Sequence, residues 1–256
     1  MTFATINLAY KYTAANRLSY FENELMRFSQ PGCLNDPFEC YPGLPVLAAG
    51  QLLEMNAKGS AFREGLTKRN VDGVLVPYLE QIAKRINQSI GMLCLSERWN
   101  STLMWSHYAD SHQGFCVGFD ITHPFFANDY LEDGGWGPIG KVNYADHRRP
   151  VTLERVSIKE VLALLTTKHI DWAYENEMRL IRSIGEADDV QIVKDGMSVA
   201  LFRVPHDAVR EIYCGARAST QLKDALRIHA TKLGIKFYEA EMSIVRYDLD
   251  RWPREA

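Results

Sequence analysis

The residues with the widest chemical repertoire collect in three short blocks of the 256-residue chain, at residues 27 to 39, 94 to 120 and 168 to 179. The last reads KHIDWAYENEMR from Lys168 to Arg179. If Tyr174 to Ile181 is a strand, its side chains alternate between faces, so Glu175, Glu177 and Arg179 share one surface. Carboxylates side by side in a cleft raise one another's proton affinity, and a carboxylate can stabilise a developing cation. The pair therefore suits acid, base or electrostatic work. If the segment is helical instead, Glu175 and Arg179 make an ordinary i, i+4 ion pair.

The middle block includes SERWNSTLMWSHYADSHQGFCVGFD, from Ser96 to Asp120, and gathers Trp99, Trp105, His107, Tyr108 and His112 within a few turns. Such rings can wall a ligand pocket, but Met104, Trp105 and Tyr108 also have the spacing of a helix packed on a sheet. His107 and His112 are five apart, not the four that superimposes on one helical face, and no adjacent acidic general base completes a metalloprotease motif. The first block, RFSQPGCLNDPFE from Arg27 to Glu39, sets Ser29, Asn35, Asp36 and Glu39 around two prolines. That is either turn chemistry or a rigid loop holding polar groups over a cleft. Asp36, Glu39, His107 and His112 are also residue types that can ligate cations, which keeps a metal-dependent nuclease or hydrolase in view. No phosphate-binding glycine loop, dinucleotide fingerprint or serine elbow is present, since Gly134, Gly135 and Gly137 lack a strand-to-helix context.

The elements that must position these blocks are legible in outline. Apolar spacing predicts helices over Asn16 to Glu24, Val71 to Ile90, Ser101 to Ala109, Ser157 to Ile170 and Thr220 to Leu233, with Asn100 or Ser101 as a cap and Pro77 disturbing or beginning its helix. Strands are expected at Leu25 to Ser29, Gly91 to Ser96, Gly114 to Asp120, Lys141 to Ala145 and Tyr174 to Ile181. Further strands follow at Ala200 to Val204, Glu211 to Cys214, Lys236 to Glu241 and Ile244 to Tyr247. Pro42, Pro45 and Gly50 punctuate an irregular stretch. Strands with few regular crossovers imply an α+β fold of mixed or antiparallel sheets with flanking helices.

The length, with 46% hydrophobic residues, suits one domain spanning 1 to 256. A net charge of -3 with 24% charged residues lacks the basic excess of a phosphate-neutralising nucleic-acid binder. No apolar run reaches membrane-helix length and no secretory leader is apparent, so a cytoplasmic protein is expected, without membrane contact. Cys33, Cys40, Cys94, Cys116 and Cys214 are scattered, which favours reduced thiols over a disulfide or zinc framework.

At its three blocks the chain resembles a bacterial family catalogued as domain of unknown function 2971 (DUF2971), through YKY (Tyr10 to Tyr12), RFSQPGCLNDPFE, CLSE (Cys94 to Glu97), MWSHYADSHQGFCVGFD and WAYENEMR. More distantly, the layout resembles the ADP-ribosyltransferase superfamily, and the Glu175, Asn176, Glu177 triplet resembles its ExE element. That resemblance implies an ADP-ribosyltransferase-like fold and a transferase that consumes NAD and acts as a toxin or antiphage defence effector. Glu177 would bond the ribose 2′-hydroxyl and stabilise an oxocarbenium-like state, and Glu175 would orient the acceptor. Lys11 and Tyr12 stand where many members carry a histidine or arginine for NAD. Arg27 and Ser29 would lie near the nicotinamide ribose, and Trp105, His107 and Tyr108 would line the pocket. The acceptor would be a protein or nucleic acid, an antitoxin or other partner could restrain the protein, and no metal is required. The competing reading is a noncatalytic binding module in which the glutamates pair with Arg179 or Arg27. A Glu177 enclosed in ion pairs, with no adjoining pocket, favours that second reading.

Overall fold

The computed structural model describes residues 7–42, 68–127, 137–149, 157–192 and 198–254. Pro45, Gly50, Gly134 and Gly135 lie outside them. In chain order the strands are β1 (Leu8–Thr13), β2 (Leu25–Phe28), β3 (Ile90–Ser96), β4 (Phe115–Asp120), β5 (Gly140–Lys141), β6 (Asn143–Ala145) and β7 (Thr167–His169). They continue with β8 (Glu177–Ser183), β9 (Asp189–Ile192), β10 (Ser198–Arg203), β11 (Val209–Cys214), β12 (Lys236–Met242) and β13 (Leu249–Arg254). Contacts group the chain into two compact units. The first comprises Met1–Phe28, Met92–Lys141 and Ala173–Ala256, and the second Ser29–Gly91 and Val142–Trp172.

The first unit is built on an eight-stranded sheet, ordered β13-β12-β11-β4-β1-β3-β8-β5, beside a three-stranded antiparallel sheet, β2-β10-β9. The large sheet is mixed. β4 runs antiparallel to both β1 and β11, whereas β11 and β12 are parallel and joined through the Thr220–Leu233 helix. The α+β expectation of mixed, largely antiparallel sheets with flanking helices therefore holds.

β4 (FCVGFD) is buried at every position, as a central strand covered on both faces must be. Its odd positions, Phe115, Val117 and Phe119, join a core with Phe28, Leu95, Ile212 and Leu226, while Cys116 faces a second cluster of Tyr10, Tyr12, Trp105 and Tyr213. At roughly 25 cal/mol per Å2 of apolar surface, burial of the aromatic rings in these two layers stabilises the fold. Gly118 is required where the faces crowd: a Cβ there would lie 2.8 Å from Glu211 Cγ and 3.0 Å from the Tyr10 ring. That gap lets Tyr10 and Tyr213 both donate to the buried Glu211 carboxylate, at 2.9 and 2.7 Å. The two tyrosine hydroxyls are pushed well above their usual range, first by burial and then by that carboxylate.

The second unit contains the long Lys68–Ser89 helix, the Ile158–Leu165 helix, the parallel pair β6-β7 and the loop that follows Ser29. The loop is tied to the long helix because Gln30 Nε2 donates to the Asn87 carbonyl at 2.9 Å and Gly32 N donates to Asn87 Oδ1 at 2.7 Å. Pro77 sits inside that helix rather than beginning it.

Several element expectations need correction. The helix after Ser157 is started by a capping box with Glu160 but stops at Leu165, and Lys168 and His169 belong to β7. β-branched Thr166 and Thr167 favour extended backbone there, and both hydroxyls bond back to carbonyls of the last turn. The Asn16 to Glu24 segment divides into a 3-10 turn, Ala15–Arg17, and a short helix, Tyr20–Asn23. Lys141 to Ala145 is not one strand, since Gly140–Lys141 pairs with β8 and Asn143–Ala145 with β7. Ile244 to Tyr247 forms bends at the tip of the β12-β13 hairpin, with Ile244 100% exposed. None of the five cysteines forms a disulfide, and no described helix is long and apolar enough to cross a membrane.

Candidate functional site

In the first unit, Glu175 and Glu177 do not alternate along one strand. Glu175 ends the 3-10 segment Ile170–Glu175, Asn176 adopts a left-handed φ of 43°, and β8 begins only at Glu177. For a non-glycine residue that conformation costs on the order of 1 kcal/mol, offset here by bonds that hold the turn. Ser96 Oγ donates to the Glu175 carbonyl at 2.6 Å, Glu97 N to the Asn176 carbonyl at 2.9 Å, and Asn176 Nδ2 to the Tyr174 carbonyl at 3.2 Å.

Both acids are buried, Glu175 being 2% and Glu177 5% exposed. Tyr108 Oη donates to Glu175 Oε1 at 2.6 Å, carried there by the Thr102–Tyr108 helix, which Ser101 caps by accepting from Met104 N. Glu177 is gripped by Arg179, two positions along the same strand face. Nε lies 2.8 Å from Oε1 and Nη2 2.9 Å from Oε2, a bidentate pair inside the protein. The sharing of a face by Glu177 and Arg179 is as the alternation predicts; the third member, Glu175, is displaced by the turn.

The other sequence-selected positions of this unit take varied roles. Lys11 Nζ donates to the Cys94 carbonyl at 3.0 Å and Tyr12 Oη to the Arg98 carbonyl at 2.6 Å, so both brace neighbouring backbone. Trp105 is fully buried, its indole N–H on the Trp99 carbonyl at 2.7 Å and its ring edge-on to Tyr12. His107 is exposed, with its ring 6.3 Å from those of Tyr108 and Tyr174. Arg27 on β2 has a buried Nε without a hydrogen-bond partner. His112 belongs to a turn in which Asp110, Ser111 and His112 all have positive φ, and its ring stacks on Trp105 beside Ser106 Oγ at 3.2 Å. Burial, then Arg217, holds this imidazole below its usual pKa.

The second unit holds a cavity of about 540 Å3. Its wall draws on the loop of the first block, residues 35–41, on residues 145–149 and on Leu164 to Trp172. Inside it, Lys168 Nζ and Glu39 Oε2 are 3.5 Å apart with side chains 6% and 2% exposed. The ammonium also lies 4.9 Å from the centre of the Trp172 ring, and the Trp172 indole donates to Asp36 Oδ2 at 2.9 Å. At the rim the Arg148 guanidinium lies 5.1 Å from the Phe38 ring and 5.3 Å from the Tyr41 ring. Arg149 Nε donates to Thr167 Oγ1 at 3.1 Å. Asp36 and Glu39 thus do more than shape a turn. Ser29, half-buried, is not among the cavity residues. No group of three or more His, Cys, Asp or Glu able to hold a metal ion occurs among the described residues.

Phe38, Tyr41, Arg148 and Arg149 were not singled out by sequence reasoning. The available signal was His147-Arg148-Arg149, a basic run closing on Pro150 just after a strand.

No curated protein and no solved structure gave a significant match to the chain. Residues 104–180 match the model of a family described as protein of unknown function (DUF2971), a stretch that carries Trp105, Tyr108, Arg148, Lys168, Glu175 and Glu177, and over those residues the chain is similar to that family.

Proposed function

We propose that the chain is a small-molecule-binding protein of the cytoplasm, with its ligand held in the cavity of the second unit. The observation that carries this reading is the buried Lys168–Glu39 pair set against Trp172 in the wall of that cavity. A buried ion pair stabilises weakly or not at all relative to apolar packing, so its presence in a cavity wall, amid aromatic rings, speaks for use in recognition. The volume lies in the range of small-ligand sites, and apolar walls with few convergent polar groups are their usual chemistry. The enclosure of Glu177 by Arg179 agrees with a binding module. The test is a thermal-shift screen of a metabolite panel against wild type and Phe38→Ala, whose side chain is 66% exposed and removable without disturbing a core. Compounds that raise the wild-type melting temperature and lose that effect in the variant are expected. A panel that shifts neither protein, or both equally, removes the reading.

A second reading, NAD-dependent ADP-ribosyl transfer by a toxin or defence effector, is favoured by Asn176, a left-handed residue held between two buried carboxylates with Tyr108 on one of them. Strain of this kind clusters at functional sites. In this reading Glu177 must exchange Arg179 for the ribose 2′-hydroxyl and stabilise the cation formed as nicotinamide leaves, while Glu175 and Tyr108 orient the acceptor, a protein or nucleic acid. The residues fit NAD unevenly: Arg27, with its unmatched Nε, and exposed His107 suit it, whereas Lys11, Tyr12 and Trp105 are engaged in bracing and packing. Nicotinamide release from NAD, reduced at least tenfold in Tyr108→Phe and Glu177→Gln, supports this reading; no release by folded wild type with candidate acceptors eliminates it. An antitoxin or regulatory partner would then be expected to suppress the release.

A further inference from the structure

The charges around the cavity are not evenly committed. Each buried or half-buried acid in the wall has a partner in the protein: Glu39 faces Lys168, and Asp36 accepts from the Trp172 indole and from Phe38 N at 2.8 Å. Exposed Asp171 lies 3.2 Å from His169 Nδ1. The two neighbouring guanidinium groups at the rim are arranged differently. Arg148 is placed over two aromatic rings, Phe38 and Tyr41, and its guanidinium carries five N–H donors suited to an anion. Arg149 has one of its five donors on Thr167 Oγ1. Asp146 supplies one exposed carboxylate against these two cations.

Two guanidinium forks lining one cavity suit a tetrahedral oxyanion, which offers several acceptor oxygens and about two negative charges. The two aromatic contacts hold the Arg148 fork in place, so less side-chain freedom is lost when the anion binds. Behind the rim, the Trp172 ring and the aliphatic part of Leu164 offer an apolar wall to the body of such a ligand.

We propose that Arg148 and Arg149 form a phosphate-binding edge and that the ligand of this cavity is a phosphomonoester whose organic part lies against Trp172. The proposal rests on the binding reading given above and names the ligand class for the same site. Both arginines are exposed, so their replacement leaves the fold intact.

The test is calorimetric titration of the full chain with adenosine monophosphate, ribose 5-phosphate, inorganic phosphate and adenosine, repeated with Arg148→Ala, Arg149→Ala and Arg148→Lys. At least one organic phosphate is expected to bind at least tenfold more tightly than adenosine, and to weaken by about tenfold for each guanidinium removed. Arg148→Lys is expected to restore only part of the loss, because an ammonium keeps the charge without the planar fork. Preference for adenosine monophosphate over ribose 5-phosphate identifies a nucleotide, and the reverse a sugar phosphate; either supports the proposal. Phosphates that bind no better than adenosine, or equally well to the arginine variants, overturn it. If a neutral compound from the thermal-shift screen needs Phe38 while no phosphate binds, the phosphate edge falls and the binding reading survives. If nothing binds, both fall.

Discussion

Replacing Glu177 by glutamine separates an architectural carboxylate from a merely neighbouring one. Arg179 is among the largest fully buried side chains, and its Nε and Nη2 donate to the Glu177 carboxylate at 2.8 and 2.9 Å. Burial pulls the guanidinium down to about 9, so it remains protonated at pH 7. Glu177→Gln would therefore replace the two anionic oxygens that a buried cation bonds with a single neutral amide acceptor. Loss of one member of a buried pair costs about 3–5 kcal/mol, and the retained amide oxygen places this variant near 3. For a chain of this size that is a fall in melting temperature of roughly 6–12 °C. Arg179→Met in the Glu177→Gln background removes the stranded cation and should regain much of the loss, so the two substitutions are strongly non-additive. The assay is urea unfolding by tryptophan emission for wild type, both single variants and the double. A Glu177→Gln penalty under about 1 kcal/mol, with additive effects in the double variant, refutes the argument that this pair is closed and structural.

Three other outcomes follow from the geometry. Gly114→Ala would bring a Cβ to 2.1 Å from the Thr13 carbonyl oxygen, whereas Gly140→Ala meets nothing within 4 Å; the first should lose at least about 2 kcal/mol in urea unfolding and the second almost none. Asn176→Val places a branched side chain at φ 43° and should cost about 1–2 kcal/mol, while Asn176→Gly stays close to wild type. Burial opposes ionisation of Asp120, but Thr122 Oγ1 at 2.6 Å, Thr122 N at 3.0 Å and Arg210 outweigh it and hold the carboxyl below its ordinary value of 3.8. A depressed acid stabilises the fold above its unfolded pKa and loses that contribution as pH falls through its folded pKa. The stability gap between wild type and Asp120→Asn should therefore be full at pH 6 and narrow below about pH 4; a gap that widens on acidification contradicts the assignment.

The elements readable from the sequence were those in which local signals agreed. The Thr220–Leu233 helix has Ser219 accepting from Leu222 N at its start and Gly234 at φ 64° at its end, and β4 is a short apolar run that tertiary contacts had no reason to override. The failures have physical causes. A stretch of β-formers, Ile244 to Tyr247 (IVRY), looks like a strand but serves as a hairpin tip, because pairing with β12 starts only at Leu249. The Glu175–Glu177 alternation was broken by Asn176, whose left-handed turn is paid back by bonds from Ser96 and Glu97, about eighty residues earlier in the chain. Lys168 and Glu39, or Arg148 and Phe38, are brought together only by the tertiary fold, so the cavity had no short-range signature.

The most direct test of ligand binding is native mass spectrometry of the wild-type chain and Arg148→Ala after both are mixed with the same metabolite extract. A discrete small-molecule adduct on wild type, strongly reduced on the variant, is the predicted result. An unadducted wild type would contradict a ligand site at this cavity, and equal occupancy in the two proteins would contradict the arginine edge.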